Sequence, residues 1–292
     1  MPEGDSVWRA ANQLHQALAG QKLIASDFRV PRFATLNLAG WTVAEVVPRG
    51  KHLLMRMVGP EDKKLTIHSH LKMEGAWQVY PPGGRWRKPG YTARCVLRTP
   101  VADAVGFSLG IVEVVATADE DSIVGFLGPD LLGPDWDLDE AERRVRGAPD
   151  VPIGVALLDQ RNLAGIGNIY RCETCFLSGV HPATPVSAVE DVRTMMTDAK
   201  QLLEVNLGPG RRVTILNPKG MPVGRMAGRP GYWVYGRDHR PCLKCGTPIL
   251  RGALGKPNGE EERDIYFCPH CQPLLTEGYQ LRTAVPASWW SC

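Results

Sequence analysis

The sequence predicts an α+β protein of several domains: an N-terminal antiparallel β-sandwich with a flanking helix, a helical domain, and a zinc-binding β-hairpin. Three observations support this prediction. Short apolar runs separated by turn residues fill the first 120 positions, as expected for strands. Helical periodicity takes over after Pro152, and two Cys-x-x-Cys pairs lie close to the end of the chain.

The N-terminal half begins with one helix. Apolar residues recur at helical spacing over Ser6–Ala19, and Gly20 is a suitable stop. Eight strands are then expected, at Leu23–Val30, Trp41–Val47, His52–Val58, Lys64–His70, Ala76–Tyr80, Tyr91–Arg98, Val105–Leu109 and Ile111–Ala116.

The second half is predicted to be mainly helical. Residues 129–150 are acidic and contain several prolines, which suits a linker with one helix at Leu138–Arg146. Further helices are expected at Val155–Gln160, Ile169–Ser178 and Val186–Asn206, followed by a loop at Arg211–Arg229. The predicted domains are 1–128 (β-sandwich), 129–150 (linker), 151–230 (helical), 231–272 (zinc hairpin) and 273–292 (an extension, either disordered or an interaction arm).

Composition favours a globular protein outside the membrane. The 292 residues are 43% hydrophobic and 22% charged. We find no run of about 20 apolar residues, and the acidic start Pro2–Asp5 lacks the basic region of a secretion signal. A cytoplasmic protein with no membrane partner is therefore expected.

Charge is unevenly distributed along the chain. Positions 211–259 carry ten Lys or Arg and one acid, whereas positions 111–150 carry eleven acids and three arginines. A clustered basic segment is typical of nucleic-acid binding, because cations displace the counterions of the phosphates. A merely solvated surface is the alternative.

The strongest motif is a predicted zinc site formed by Cys242, Cys245, Cys268 and Cys271. Four thiolates satisfy tetrahedral Zn²⁺, and the 22 residues between the two pairs are enough for two strands and a turn. Such a site is closed, so one structural zinc ion is expected, which supplies folding free energy. A third Cys-x-x-Cys, at Cys172 and Cys175, is interpreted as facing the core.

Three other positions are open to two interpretations each. Arg263 is either a phosphate clamp or a solvated arginine paired with a neighbouring acid. Asn168, in Gly-Ile-Gly-Asn, either caps a helix or also binds a phosphate. Pro2 would expose a secondary amine once Met1 is removed. An α-amine has a pKa of about 8, so part of it is neutral at physiological pH and can attack a sugar carbon, with Glu3 transferring protons. The alternative is that Pro2 has no catalytic role, because many chains begin Met-Pro. Lys51 alone is an ordinary surface lysine.

Taken together, these residues resemble one family. The motifs are collinear from residue 2 to about residue 272. They are Pro2–Asp5, Gly50–Leu54, Ser69–Gly75, Gly128–Leu132, Leu158–Gln160, Gly165–Tyr170 with Glu173, Gly179–Pro182, and Arg263 with Cys268–Gln272. The family that they resemble is the formamidopyrimidine-DNA glycosylase/endonuclease VIII family of DNA repair enzymes.

The resemblance implies a role for each site residue. Pro2 would be the nucleophile that forms a Schiff base, Glu3 the general acid and base, and Lys51 a contact to the phosphate or sugar near the lesion. Asn168, in a helix–two-turn–helix motif, and Arg263, on the zinc hairpin, would bind the phosphates flanking the flipped nucleotide. The implied partner is damaged DNA, bound by a monomer.

The opening Pro-Glu-Gly-Asp resembles the endonuclease VIII branch, which implies oxidised pyrimidines as substrates and strand cleavage by β,δ-elimination. Lys72 and Met73 occupy the place of the family's void-filling loop. Met73 is either the wedge that fills the gap left by the flipped base or a core residue. Two other functions remain open: an 8-oxoguanine/formamidopyrimidine glycosylase, and a zinc-ribbon protein that binds DNA damage without catalysis.

Overall fold

A computed structural model describes residues 2–223, 231–255 and 262–274, and the backbone of 282–283. It divides the chain into two compact units, Met1–Leu127 and Gly128–Cys292. Among the described residues, no helix has the length and apolar character required to cross a membrane.

The first unit is an α1 helix (Gly4–Leu18) with two antiparallel four-stranded sheets. Strands β1 to β8 are Ala25–Phe28, Thr42–Arg49, His52–Val58, Lys64–His70, Ala76–Tyr80, Ala93–Arg98, Asp103–Phe107 and Ile111–Ala116. One sheet has the order β2-β3-β4-β8 and the other β1-β6-β7-β5. The predicted sandwich with a flanking helix is thus confirmed, and four of its strands have the predicted bounds.

Alternation of side chains explains the core of this unit. Leu53, Met55 and Met57 on β3 alternate with outward-facing residues and are almost fully buried. Together with apolar residues of the second sheet and of α1, they form one hydrophobic cluster. The opposite face of β3 and β4 carries polar side chains, among them three histidines.

The second unit is mainly helical. Its helices, after the short α2 (Asp121–Val124) of the first unit, are α3 (Leu138–Arg146), α4 (Ile153–Ala156), α5 (Asn168–Leu177) and α6 (Val192–Glu204). The single helix predicted over Val186–Asn206 is wrong. A 3₁₀ turn ends at Ala188, and α6 begins only after Asp191, whose carboxylate accepts a hydrogen bond from Thr194 N–H. The helix predicted at Val155–Gln160 is likewise shorter and begins earlier.

The segment predicted as an acidic linker, 129–150, contributes to the core of this unit. Leu131, Ala141 and Val145 are fully buried there among residues of α4 to α6. Its helix α3 has the predicted bounds, and its charges lie on the exposed side, in pairs such as Glu140 with Arg144 at 2.6 Å. The domain bounds themselves stay predictions.

The cysteine-rich region forms a β-hairpin. Strand β9 (Leu250–Leu254) pairs antiparallel with β10 (Arg263–Phe267), and residues 256–261 between them lie outside the described residues. Strand β11 (Arg282–Thr283) pairs with the other edge of β9. These two residues of the C-terminal extension are therefore described as a strand, and the rest of the prediction for 275–292 lies outside the described residues. So does the 224–230 part of the predicted loop.

Candidate active site and nucleic-acid interface

The N-terminus is held at the start of α1. The carbonyl of Glu3 accepts hydrogen bonds from Ser6 N–H and Val7 N–H at 3.0 and 3.1 Å. Pro2 is half-buried, whereas Glu3 is fully buried. Because α1 buries its apolar stripe in the core, the first turn is a fixed platform. It can therefore hold an amine and a carboxylate at defined positions.

Lys51 lies in the two-residue hairpin turn between β2 and β3. Gly50 precedes it with φ of 56°, a conformation that the first position of such a turn requires and that favours glycine. The turn presents Lys51 half-buried at the end of the sheet.

A chain of hydrogen bonds starts beside Lys51. The Glu113 carboxylate can only accept, so His68 Nδ1–H donates to it at 3.0 Å, which leaves His68 Nε2 as an acceptor for His52 Nδ1–H at 2.8 Å. Burial, together with the charges of neighbouring His68, His70, Lys72 and Lys51, lowers the pKa of His52 to about 3. Burial also lowers the pKa of His68, against the effect of Glu113. Both imidazoles are therefore neutral at pH 7.

His70 positions the turn that carries Lys72 and Met73. Its Nδ1 accepts a hydrogen bond from Lys72 N–H at 2.9 Å, and Lys72 has φ of 51°. Burial and the charges of Lys72 and Lys51 lower the pKa of His70 to about 4, which keeps Nδ1 free to accept. Met73 is 62% exposed, so the interpretation of Met73 as a core residue is wrong.

Asn168 and Arg263 lie beside each other in the second unit. Asn168 is the first residue of α5, and its Nδ2 donates to the carbonyl of Asp264 at 2.8 Å. Arg263, the preceding residue on β10, is exposed. Among the described residues, no carboxylate lies within 4 Å of its guanidinium, and Asp264 instead pairs with Arg251 at 2.8 Å. Glu260 and Glu261, two of the neighbouring acids that could pair with Arg263, lie outside the described residues.

Arg171 is a site residue that the sequence analysis missed. It is fully buried, and its Nη2 donates both to Asn168 Oδ1 and to the Asp264 carbonyl, the latter at 3.0 Å. Its Nε and Nη1 have no hydrogen-bond partner among the described residues. Burial lowers the pKa of this guanidinium. Its position three residues after Asn168 on a helix, hence on the same face, is the signal that could have found it.

Glu173 connects α5 to the segment that leads into the cysteines. Its fully buried carboxylate accepts hydrogen bonds from the backbone N–H groups of Trp233, Val234 and Tyr235 at 2.8 to 2.9 Å, and from the Thr214 hydroxyl. Burial raises the pKa of Glu173, and these four donors oppose that shift.

The four predicted zinc ligands form one cluster. The sulfur atoms of Cys242, Cys245, Cys268 and Cys271 all lie within 4.8 Å of one another. Cys245 and Cys268 are 3.5 Å apart, and Cys242 and Cys271 are 3.9 Å apart, close to the ~3.8 Å edge of a tetrahedron with metal–sulfur bonds of about 2.3 Å. Gly246 makes the tight turn after the first pair, with φ of 80°. The donor set and spacing therefore fit a tetrahedral metal ion.

Cys172 and Cys175 face two different hydrophobic cores. Cys172 packs with the cysteine hairpin and Cys175 with the helices, and both are fully buried. Burial raises their thiol pKa values to about 11 and about 12. They are uncharged core residues, as predicted.

Comparisons with known proteins agree on one family. Residues 1–107 match the family model of the formamidopyrimidine-DNA glycosylase N-terminal domain, and residues 127–215 match that of the formamidopyrimidine-DNA glycosylase H2TH domain. The chain is 50% identical to the probable endonuclease 8 2 of Streptomyces coelicolor, over 93% of this chain and 94% of the relative. It is 42% identical to the DNA-(apurinic or apyrimidinic site) lyase Nei2 of Mycolicibacterium smegmatis, over 93% and 99% of the two chains.

More distant relatives share the fold. The formamidopyrimidine-DNA glycosylase of Rhodospirillum centenum is 30% identical, over 93% of this chain and all of the relative. The Lactococcus lactis formamidopyrimidine-DNA glycosylase, crystallised non-covalently bound to DNA with an AP site, superposes with a TM-score of 0.73 at 23% identity, over 93% of this chain and all of that chain. This similarity shows the common fold.

Proposed function

The chain belongs to the formamidopyrimidine-DNA glycosylase/endonuclease VIII family of DNA repair enzymes, nearer the endonuclease VIII branch, and from that premise we propose that it excises oxidised pyrimidines and cleaves the strand at the resulting abasic site. The observation that carries this proposal is the N-terminal platform: half-buried Pro2 followed by fully buried Glu3, immediately before the anchored first turn of α1. A helix start that is anchored in this way can hold a nucleophile and a proton-transfer group at fixed positions relative to each other.

The proposed reaction begins with the neutral amine of Pro2. Its nitrogen attacks C1′ of the damaged nucleotide, the C1′–base bond breaks, and the base leaves with the electron pair and a proton. Glu3 protonates the sugar ring oxygen, so the ring opens and the amine and C1′ become an iminium.

The iminium acidifies the C2′ hydrogen. Loss of that proton expels the 3′ phosphate, and loss of a C4′ proton then expels the 5′ phosphate, which completes β,δ-elimination. Water hydrolyses the imine and releases the sugar fragment and the free amine. In this proposal Lys51 binds the phosphate or sugar near the lesion.

In this proposal, residues of the second unit bind the DNA backbone, and a turn of the first unit fills the gap left by the flipped base. Asn168 and Arg263, held beside each other through the Asp264 carbonyl, bind the phosphates that flank the flipped nucleotide. Met73, exposed on its turn together with Lys72, fills the gap left by the base. The four cysteines would hold one structural zinc ion, which keeps the hairpin that carries Arg263 folded.

Borohydride trapping tests the proposal. The purified protein, with Met1 removal verified by mass spectrometry, is incubated with DNA containing an oxidised pyrimidine, and borohydride reduces any iminium to a stable protein–DNA adduct. We expect an adduct, and none from Pro2→Gly carrying one added N-terminal residue. Pro31→Gly, on an exposed turn, is the matched control and should trap normally. Trapping on 8-oxoguanine alone would contradict the pyrimidine assignment, and no trapping even on an abasic site would contradict the lyase.

A further inference from the structure

The outer face of the second sheet carries an unneutralised basic surface. We define the basic loop as residues 81–94, which are the connection between β5 and β6 together with the first two residues of β6. It carries Arg85, Arg87, Lys88 and Arg94 and no acidic residue. Among the described residues, none of these four cations has a carboxylate within 4 Å, whereas arginines elsewhere, such as Arg56 and Arg193, are paired with acids.

The basic loop is rigidly attached although it has little regular structure. The Trp86 ring packs edge-on against Phe107 with centroids 5.7 Å apart, and Arg29 lies over the same ring at 5.5 Å. Arg87 N–H donates to the Tyr80 hydroxyl at 3.1 Å.

Both ends of the basic loop are also fixed to the sheet. Gly83 N–H donates to Asp103 at 3.1 Å, and the Arg29 guanidinium donates to the Gly90 carbonyl at 3.0 Å. The backbone that carries the cations is therefore pre-positioned, which lowers the entropic cost of binding a polyanion.

Two features suit an unpaired nucleotide. A cavity of about 390 Å³ opens beside the basic loop; its lining includes the Trp86 ring, Lys88 and Arg98, opposed by a single acid, Asp103. Tyr91 is 83% exposed, an unusual position for a large aromatic side chain. Positive groups that follow a backbone, next to exposed aromatic rings on which bases stack, are typical of single-strand binding surfaces.

We propose that the basic loop is a second DNA-binding surface, which holds an unpaired stretch of the substrate strand through its phosphates and one stacked base. Arg85, Arg87 and Lys88 contact phosphates and Tyr91 stacks on a base. This surface adds to the lesion-binding residues and contains none of them, so it goes beyond the proposed function.

The test is the salt dependence of binding to an undamaged 20-nucleotide single strand, followed by fluorescence anisotropy. The triple variant Arg85→Gln, Arg87→Gln, Lys88→Gln should lower the slope of log K against log salt by about 2, because each single-strand phosphate contact contributes about 0.7. Tyr91→Ala should weaken binding roughly 5- to 150-fold at constant slope. The matched control Lys22→Gln, Lys63→Gln, Lys64→Gln removes the same charge at exposed positions of the same unit and should leave the slope unchanged.

Each other result overturns the proposal. An equal slope change in the control would show a general charge effect. If Tyr91→Ala left the affinity unchanged, or if the variants lost as much affinity for a blunt duplex as for the single strand, the basic loop would not bind an unpaired stretch of DNA. Displacement of the strand by submillimolar inorganic phosphate or a free nucleotide would identify a small-ligand site. Melting temperatures verify folding. Excision from a short lesion duplex, expected to be unchanged in the triple variant, reports on the proposed function separately.

Discussion

Substitution of Glu173 tests which hydrogen bonds stabilise the second unit. The Glu173 carboxylate accepts hydrogen bonds from three backbone N–H groups, those of Trp233, Val234 and Tyr235. One oxygen accepts from Val234 and Tyr235, and the other from Trp233 and the Thr214 hydroxyl. In Glu173→Gln, one of these oxygens becomes an NH₂ group that faces donors.

The expected loss follows from that geometry. The amide can turn so that its NH₂ group faces Trp233 N–H and the Thr214 hydroxyl, which rotates to accept from it, so at least one buried donor, Trp233 N–H, loses its acceptor. At about 1 to 3 kcal/mol for a buried unsatisfied group, Glu173→Gln should cost roughly 1 to 3 kcal/mol. At about 2 to 4 °C per kcal/mol for a unit of this size, the melting temperature should fall by roughly 2 to 12 °C. Glu173→Ala removes both oxygens and should cost more.

Differential scanning calorimetry and metal content of the purified variant provide the measurement. The segment 231–235 leads into the first cysteine pair, so we also expect faster metal loss to a chelator. Glu204→Gln, at the end of α6 where Glu204 pairs with Lys200, is the control and should change the melting temperature by less than about 2 °C. A Glu173→Gln variant that melts with the wild type would refute the reasoning.

Three further predictions concern charge and metal. Arg171→Met should weaken binding to lesion DNA by about tenfold or more in anisotropy assays, because it leaves Asn168 unpositioned. The melting temperature should stay level or rise, because the variant removes a buried charge that has no carboxylate partner among the described residues. The folded-state pKa values of His52, His68 and His70 lie below 6.5, so the unfolded chain takes up protons first as pH falls. The free energy of unfolding should therefore fall between pH 6.5 and about 4, by up to about 1.4 kcal/mol per pH unit for each histidine, in urea titrations. Removing metal with a chelator should unfold the hairpin and weaken binding to lesion DNA, with recovery on adding Zn²⁺.

Each of these predictions has a contrary outcome. An Arg171→Met variant that binds normally would show that Asn168 needs no support. Constant or greater stability at pH 5 would show that the histidines are not held neutral, and His52→Asn should flatten the pH dependence. Full DNA affinity after verified metal removal would show that the hairpin folds without metal.

Much of the fold was predictable because local pattern and burial agree. Strands such as His52–Val58 and Lys64–His70 repeat apolar residues at every second position, as at Leu53, Met55 and Met57, and the helix Leu138–Arg146 combines a capping aspartate with helical periodicity, so their bounds match the structure. The break at Asp191 was missed because the apolar spacing continues through it, while a capping hydrogen bond restarts the helix. The residues of 129–150 look like a linker because their charges dominate the composition, yet three apolar positions are enough to anchor the segment in a core.

The sequence by itself determined the chemistry available: an N-terminal proline and glutamate, four cysteines at metal-binding spacing, and the motifs that identify the family. Those features depend on residue type and short spacing, which a linear chain displays directly. Only the tertiary structure decided which distant residues support one another. Hydrogen bonds join Asn168 to Asp264, and His68 to both His52 and Glu113, although the bonded residues are 16 to 96 positions apart in the sequence. Arg171, which lies between Asn168 and Asp264, is hidden from water. Such partners are selected by strand register and burial, which no local pattern encodes.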